Sequence, residues 1–242
     1  VAAVLQDTAL QQRRRFISDV LETVGRGNAR AFYLPSLIEG LTVADEGTVG
    51  RVWTHINTPN GRLSKLGKGA VLSFNGTSDY LSCPDAAGLS FAEPATMSFF
   101  SIANVVDTAT NRSLFTKSNT GETEYVWNIG TADQLKLFLQ DTLGVVTITR
   151  TADPTAPQGS WASYGTSYDG SGGATAADGA SHYVNGSLVA STSVNSGAYT
   201  LMSDKPAAGI IGAQNAGTSN FFNGTIAMVL LVAANLSAAQ HA

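Results

Sequence analysis

Cysteine and charged residues are both scarce in this sequence. Cys83 is the single cysteine among 242 residues, which excludes an intrachain disulfide. Cysteine and histidine show no metal-ligand spacing, so we expect neither a metal nor another cofactor. Only 13% of the residues are charged, about half the usual fraction. The longest apolar run, Ile226 to Ala234, has the length of a strand and falls short of the roughly 18 residues that span a membrane.

The charge is unevenly distributed along the chain. Residues 1–70 carry nine basic and six acidic side chains, whereas residues 71–242 carry five basic and twelve acidic ones. From residue 151 onward only Asp153, Asp169, Asp178, Asp204 and Lys205 are charged. A body this poor in positive charge lacks the electrostatic attraction for phosphate that nucleic-acid binding needs.

The first residues do not follow the order of a secretory signal. Their apolar part ends after five residues at Gln6 and Asp7, and the basic triplet 13–15 follows it instead of preceding it. A secretory signal has a basic start and a longer apolar core. We therefore expect no export signal and no membrane association.

Residues 8–24 have the pattern of an amphipathic helix. Asp7 or Thr8 provides an N-cap, and Gly25 provides a left-handed stop. The apolar residues with helical spacing lie on one stripe, namely Leu10, Ile17, Val20, Leu21 and Val24. A helix this short is marginal alone, so it docks on its own body, on other copies or on another protein.

Beyond residue 30, short apolar runs alternate with turn residues every eight to twelve positions, which is typical of antiparallel β-sandwiches and barrels. The runs predict strands at Ala70–Phe74, Ala95–Asn104, Ser113–Lys117, Glu124–Ile129, Gln134–Gln140, Gly144–Arg150, Ser160–Tyr168, Ala180–Val184, Ser187–Ser191, Ala208–Gln214 and Gly224–Val232. The pairs Asn75-Gly76, Asn185-Gly186 and Asn223-Gly224 predict tight hairpin turns, because Asn and Gly tolerate positive φ. Each pair also begins a glycosylation triplet, and the turn interpretation is favoured.

Four segments resemble the laminin-G-like jelly rolls of the concanavalin A-like lectin/glucanase superfamily: GAVLSFNGTSDYLSCPDAAGLSF (69–91), GSWASYGTSYDGSG (159–172), HYVNGSLVAS (182–191) and FFNGTIAMVLLVAANLSAAQ (221–240). Residues 31–47 are similar to the family's opening segment. The resemblance implies a two-sheet sandwich, and the fold itself hosts lectins, glycosidases and assembly modules. Asn75, Ala227 and Met228 stand where acidic residues are common in the family, so we expect no calcium site.

No catalytic constellation is evident. A retaining glycosidase needs two carboxylates roughly 5–5.5 Å apart. Glu122 and Glu124 are the nearest candidates, since alternate residues of a strand share a face, but Trp127 stands where the acidic motif requires a further Glu. No G-x-S-x-G elbow occurs, and His55, His182 and His241 have no recognisable catalytic partner. We expect no enzymatic activity and no catalytic residues.

Trp53 and His55 are the best candidates for a sugar site. They stand close together in RVWTHINTPN, a segment with neighbouring amides and hydroxyls that we expect to be a loop. An exposed aromatic ring beside such groups favours sugar binding. The alternative is that Trp53 covers one end of the sandwich.

The sequence thus predicts an all-β, two-sheet antiparallel jelly roll at residues 31–242 and a helical arm at residues 1–30. A lectin-like domain without an export signal is typical of bacteriophage virion proteins, which assemble in the host cytoplasm. We therefore expect a structural or interaction protein of a capsid, tail or fibre, which contacts other virion proteins or copies of itself and binds host glycan weakly. The alternatives are a free, extracellular carbohydrate-binding module and an unusual glycosidase.

Overall fold

A computed structural model describes residues 2–34, 42–44, 52–57, 60–63, 70–91, 96–141, 147–152 and 156–242. Two helices, α1 (Ala2–Val24) and α2 (Ala238–His241), lie near the two ends of the chain. The strands between them are β1 (Ala29–Tyr33), β2 (Thr42–Ala44), β3 (Val52–Ile56), β4 (Asn60–Leu63), β5 (Ala70–Asn75), β6 (Tyr80–Cys83), β7 (Met97–Val105), β8 (Arg112–Asn119), β9 (Glu122–Ile129), β10 (Leu135–Gln140), β11 (Thr147–Ala152), β12 (Trp161–Tyr168), β13 (Ala180–Val184), β14 (Ser187–Val189), β15 (Ser191–Asn195), β16 (Gly209–Ile211) and β17 (Asn223–Val232).

The described strands form two antiparallel sheets packed as a sandwich. The eight-stranded sheet has the order β14-β13-β12-β7-β17-β5-β4, with β1 also paired to β17. The nine-stranded sheet has the order β15-β11-β10-β9-β8-β16-β6-β3-β2. This architecture confirms the predicted all-β fold, and each of the eleven predicted strands overlaps an observed one.

The core between the sheets is rich in aromatic rings. Phe99 of the eight-stranded sheet stacks on Trp127 of the nine-stranded sheet, with ring centroids 5.5 Å apart. The Trp127 indole also donates a hydrogen bond of 2.8 Å to the Thr166 hydroxyl on the opposite sheet. Because successive side chains of a strand point to opposite faces, residues next to these core positions lie on the two outer faces of the sandwich.

Helix α1 packs on the outer face of the eight-stranded sheet. Leu21 and Val24 are buried there against Phe32, Met228 and Leu230, and Ile17 and Val20 pack against the same cluster. The predicted stripe therefore docks on the chain's own body over residues 17–24, while the Leu10 side chain lies outside the described part. None of the described helices combines the length and apolarity that a membrane span requires.

The sequence predicted three hairpins at Asn-Gly pairs, and one of them is confirmed. Asn185 and Gly186 have φ values of 50° and 74° and join β13 to β14, as a two-residue hairpin turn requires. Asn75-Gly76 instead begins a connection between the two sheets, where the Asn75 side chain accepts backbone hydrogen bonds from Thr77, Ser78 and Asp79. The third pair, Asn223-Gly224, begins β17.

Gly224 in that third pair allows two strands to approach closely. A Cβ atom at Gly224 would lie 2.1 Å from the carbonyl oxygen of Asn104 on β7. The glycine therefore meets a packing requirement at this position, and the hairpin prediction for Asn223-Gly224 is wrong.

The predicted division between arm and sandwich at residue 30 falls inside β1. This strand pairs with β17 through contacts such as Phe32 with Leu230 and Tyr33 with Val229. The chain enters the sheet at Ala29, directly after α1 and a short 3-10 turn at Arg26–Asn28.

Candidate functional site

Trp53 lies in β3 and is fully buried, with 0% of its surface exposed. Its ring packs edge-on against Phe115 at 5.8 Å and Tyr33 at 6.4 Å. The expectation that Trp53 is borne on a loop is therefore wrong, and the ring belongs to the core. Sequence reasoning missed β3 because its five residues carry only a short apolar pattern.

His55 follows Trp53 by two positions and points to the same side of β3. Its side chain is half-buried, and Nε2 is buried without a hydrogen-bond partner among the described residues. Burial lowers the pKa of His55 below its usual 6.5, so the imidazole is neutral at pH 7. Its role in sugar binding stays a prediction.

The outer face of the nine-stranded sheet carries a different polar cluster. Ser113 on β8 and Asn128 on β9 are cross-strand partners, and Asn128 also faces Lys136 on β10. Asn128 and Lys136 alternate with the core residues Trp127 and Leu137 and therefore point away from the core. Ser113 shares their face as the cross-strand partner of Asn128, because a bulge separates it from the core residue Phe115. Phe138 of β10 is half-buried and lies on the same outer face, next to strand β9.

The connection between β16 and β17, residues 212–222, folds over part of this face and is called the covering segment below. Ser113 donates its backbone N–H to the carbonyl of Asn220 at 3.1 Å, and Thr116 donates its hydroxyl to the carbonyl of Ala213 at 2.9 Å. The Asn220 side chain donates to the side-chain carbonyl of Gln214 at 2.6 Å. The covering segment thereby runs beside β8 and carries two side-chain amides that bond to each other.

Two polar atoms of this cluster have no partner. The Ser113 hydroxyl oxygen and the Asn128 side-chain carbonyl oxygen are both buried and make no hydrogen bond to the described residues. Such atoms are rare in native proteins and call for a water or ligand partner. We call the set formed by Ser113, Asn128, Lys136, Phe138, Gln214 and Asn220 the polar face.

Aromatic rings flank the polar face. Tyr80 on β6 lies 6.4 Å from Phe221 of the covering segment, measured between ring centroids. Gly217 lies against the Tyr80 ring, since a Cβ there would lie 2.2 Å from Cζ. Phe138, on the β10 side, is the second aromatic element. Aromatic carbon beside amides and hydroxyls matches a sugar ring, which has apolar C–H faces and polar edges.

The two carboxylates considered for glycoside hydrolysis do not act as a pair. Glu124 is fully buried and contacts the ammonium group of Lys117, whereas Glu122 accepts a hydrogen bond of 3.1 Å from Asn119. The register of β8 and β9 shifts between Lys117 and Ser118, so that Glu124 has no cross-strand partner. This bulge breaks the alternation on which the shared-face expectation rested.

Ser167 and His241 are in contact but are not arranged for nucleophilic catalysis. The Ser167 oxygen lies 2.7 Å from His241 Nε2, and its hydroxyl donates to the carbonyl of Leu236 at 2.8 Å. His241 Nδ1 has no partner among the described residues, so no acid orients the ring. His182 is also buried, between the Thr166 hydroxyl at 2.7 Å and the Arg150 carbonyl at 3.0 Å.

No group of three or more His, Cys, Asp or Glu side chains in the described part of the chain is placed to hold a metal ion. Asp79 and Asp169 each serve a local turn, through hydrogen bonds from the backbone N–H of Asn75 at 3.1 Å and of Ser171 at 2.8 Å. The absence of a metal site stays a prediction.

The fold and its outer faces define a lectin-like sandwich. A family model described as the concanavalin A-like lectin/glucanases superfamily matches residues 75–240. The chain belongs to this family. No curated protein matches the sequence.

Solved structures with the same fold are binding domains and a domain of a glycosidase. The binding domain of Paraclostridial Mosquitocidal Protein 1 has a TM-score of 0.66 at 11% identity, covering 89% of this chain and 51% of that one. The ligand-binding domain of botulinum neurotoxin serotype D, in complex with N-acetylneuraminic acid, has a TM-score of 0.63 at 11% identity, covering 91% and 51%. This chain therefore spans about half the length of these toxin domains.

Domain 4 of AbnA, a GH43 extracellular arabinanase from Geobacillus stearothermophilus, in complex with arabinotriose, has a TM-score of 0.57 at 15% identity and covers 88% of this chain and 96% of that domain. At these identities the likeness establishes the fold.

Proposed function

We propose that this chain is a non-enzymatic interaction module that binds carbohydrate on its polar face. The observation that carries the proposal is the outer-face patch in which the partly exposed Lys136 and Phe138 border the cross-strand pair Ser113 and Asn128. Sugar hydroxyls both donate and accept, so they suit a patch that combines an amide, a hydroxyl and an aromatic ring.

The surroundings of the pair support a neutral sugar ring as the ligand. Phe138 offers a half-exposed aromatic surface, while Gln214 and Asn220 offer amides at the opposite side. Lys136 folds along β9, where its Nζ lies 2.7 Å from the position of a Cβ on Gly130. Two structures of the same fold hold sugars, N-acetylneuraminic acid in one and arabinotriose in the other, which supports carbohydrate as the ligand class.

We further infer that the module is displayed on a larger assembly, of which a bacteriophage virion is the example that the sequence suggests. The support is helix α1, whose residues 17–24 dock on the sandwich while residues before them present exposed side chains, among them Arg14, Arg15 and Phe16. An exposed amphipathic segment next to a docked one is suited to hold a neighbouring protein. A free carbohydrate-binding module does not need such a segment.

Glycan-array binding followed by calorimetry tests the carbohydrate proposal. Asn128→Ala is expected to weaken binding of the selected glycan at least tenfold, because it removes the buried acceptor. Thr54→Ala is the matched control, since Thr54 is exposed on the outer side of β3 in the same sheet. Equal affinity for Asn128→Ala and the unchanged chain, or no glycan bound at all, refutes the polar face as the sugar site.

Light-scattering mass tests the assembly proposal. If α1 joins copies of this chain, the full chain is a multimer and Phe16→Ser dissociates it without loss of folding, because Phe16 is 42% exposed. A monomer that also fails to bind virion proteins in a pull-down contradicts display through α1. A monomer that still binds glycan then favours the free binding module.

A further inference from the structure

A cleft lies at one side of the sandwich, between the edge strands β14 and β15 of the two sheets. Its volume is about 400 Å³. The residues that line it combine one cation, two hydroxyls and an apolar wall, namely Arg150, Ser181, Leu188, Val189, Ala190 and Ser191. None of these residues belongs to the polar face.

The guanidinium group of Arg150 is held in a fixed position in this cleft. Its Nε donates to the hydroxyl of Ser191 at 2.6 Å, and its Nη1 donates to the hydroxyl of Ser193 and lies 3.3 Å from a carboxylate oxygen of Asp178. The side chain of Arg150 is 20% exposed, and that of Asp178 is 60% exposed. The Nη2 group makes no hydrogen bond to the described residues.

This arrangement leaves donor capacity for an anion. Arg150 is pinned by neutral hydroxyls and by one largely solvated carboxylate, so its charge is only partly neutralised. Other cations are more fully engaged: Lys117 is buried against Glu124, and Arg112 is paired with Asp107. The free Nη2 group can donate a charge-assisted hydrogen bond to a carboxylate oxygen.

The remaining walls indicate what carries the carboxylate. Leu188 is 65% exposed beside the cation and offers an apolar surface to carbon. The Ser181 hydroxyl is half-buried and makes no hydrogen bond within the described part of the chain. A ligand that satisfies both has hydroxyl groups and a carbon skeleton next to its carboxylate.

We propose that the cleft at Arg150 binds an acidic sugar residue through its carboxylate. Arg150 donates from Nη2 to one carboxylate oxygen, Ser181 exchanges a hydrogen bond with a sugar hydroxyl, and Leu188 contacts the C–H face of the ring. An acidic peptide side chain shares the carboxylate but not the ring hydroxyls, so the hydroxyl of Ser181 favours the sugar. The site shares no residue with the polar face.

Calorimetry with two carboxylated monosaccharides tests the proposal, using the methyl α-glycoside of N-acetylneuraminic acid and methyl β-D-glucuronide on the full chain. At least one is expected to bind, and its methyl ester, which lacks the negative charge, is expected to bind at least tenfold more weakly. Arg150→Gln is expected to reduce affinity for the acid at least tenfold. Asp178→Asn is expected to raise it severalfold, because the competing carboxylate is removed.

Two comparisons keep the outcome decisive. Asp178→Asn alters only an exposed side chain, so it remains informative where Arg150→Gln fails to fold. Asn128→Ala is expected to leave the acidic sugar's affinity unchanged, which separates this cleft from the polar face. Binding of neither acid, equal affinity for acid and ester, or unchanged affinity in Asp178→Asn overturns the proposal. Equal displacement by a short glutamate-containing peptide overturns the assignment to sugar.

Discussion

The ammonium group of Lys117 contacts the carboxylate of Glu124 on the neighbouring strand, and both side chains are 0% exposed. Lys117 Nζ also lies 2.8 Å from Asp85 and 3.6 Å from Asp204, which are partly exposed. Burial lowers the pKa of Lys117, but its hydrogen bonds to Asp85 and Glu124 more than reverse this, so the net pKa lies above its usual value. The amine therefore stays charged. Burial raises the pKa of Glu124 against the hydrogen bonds from Lys117 and from the backbone of Lys205, so the carboxylate depends on the Lys117 ammonium group as its buried counter-charge.

Breaking this pair from one side is expected to destabilise the fold strongly. Lys117→Met leaves Glu124 buried without its counter-charge, and we expect the free energy of unfolding to fall by about 3–5 kcal/mol. Replacing both partners in Lys117→Met/Glu124→Leu is expected to recover much of this loss, since an apolar pair needs no compensation. Urea unfolding measures both. A double variant less stable than Lys117→Met contradicts the ion-pair account.

Acid is expected to weaken the fold through two buried histidines. Burial lowers the pKa of both His182 and His241 from 6.5 to about 4. Between these values the unfolded chain binds more protons than the folded one, so stability is full above pH 6.5 and is lost as the pH falls toward 4. Each histidine contributes roughly 3 kcal/mol to this loss.

Urea unfolding at pH 7 and at pH 4.5 measures the acid effect. His182→Gln is expected to make the difference between the two pH values smaller, whatever it does to stability at pH 7. The same pH difference measured in His55→Gln is a useful comparison, because the His55 ring is half-buried and its pKa is lowered too. An undiminished pH difference in both His182→Gln and His241→Gln indicates that other groups cause the acid sensitivity.

Gly165 provides the space in which the imidazole of His241 lies. A Cβ at Gly165 would lie 2.3 Å from His241 Nδ1, while the other face of the ring stacks on Tyr183 at 4.3 Å. We expect Gly165→Ala to lower the free energy of unfolding by about 1–3 kcal/mol, as overpacking does. In the background of His241→Ala the same change is expected to cost far less, because the two sites are coupled. Additive losses in denaturation experiments count against this contact.

Residues 17–24 of α1, which dock on the sandwich, are expected to contribute to stability. The exposed residues before them are not expected to do so. Leu21→Ala removes a side chain that is 8% exposed and packs on Met228 and Leu230, with an expected cost of about 2 kcal/mol. Phe16→Ala is expected to cost clearly less than Leu21→Ala, since Phe16 is 42% exposed and Leu21 only 8%. Equal effects in thermal and urea unfolding disprove this division of the helix.

Local sequence signals predicted the strands well where they were long. The strand β17 has ten residues with a continuous apolar half, and β9 has a dense aromatic pattern, so both are visible from the sequence. The short strands β1, β2, β3, β4 and β6 overlap no predicted strand, although the equally short β13, β14 and β16 were predicted. The pairing of β3 and β6 depends on β16 and other distant strands, which no local pattern reveals.

The candidate sites depended even more on distant contacts. Glu124 points toward Lys117 because of a bulge between β8 and β9, and no local signal predicts a bulge at that residue. Asn128 becomes a candidate only because the fold places it next to Ser113. Trp53 was chosen as an exposed aromatic, and its burial follows from the strands that surround it. The sequence did contain one signal for the polar face, namely the run of polar residues in the covering segment itself.

Helix α1 and the polar face lie on opposite outer faces of the sandwich, one on the eight-stranded and the other on the nine-stranded sheet. Attachment through the helix therefore leaves the polar face pointing away from the attachment surface. If the proposed attachment holds copies side by side, their polar faces are parallel and at fixed spacing. Weak single contacts with a glycan-coated surface would then add up to strong avidity, which depends on the spacing between copies as much as on any individual side chain.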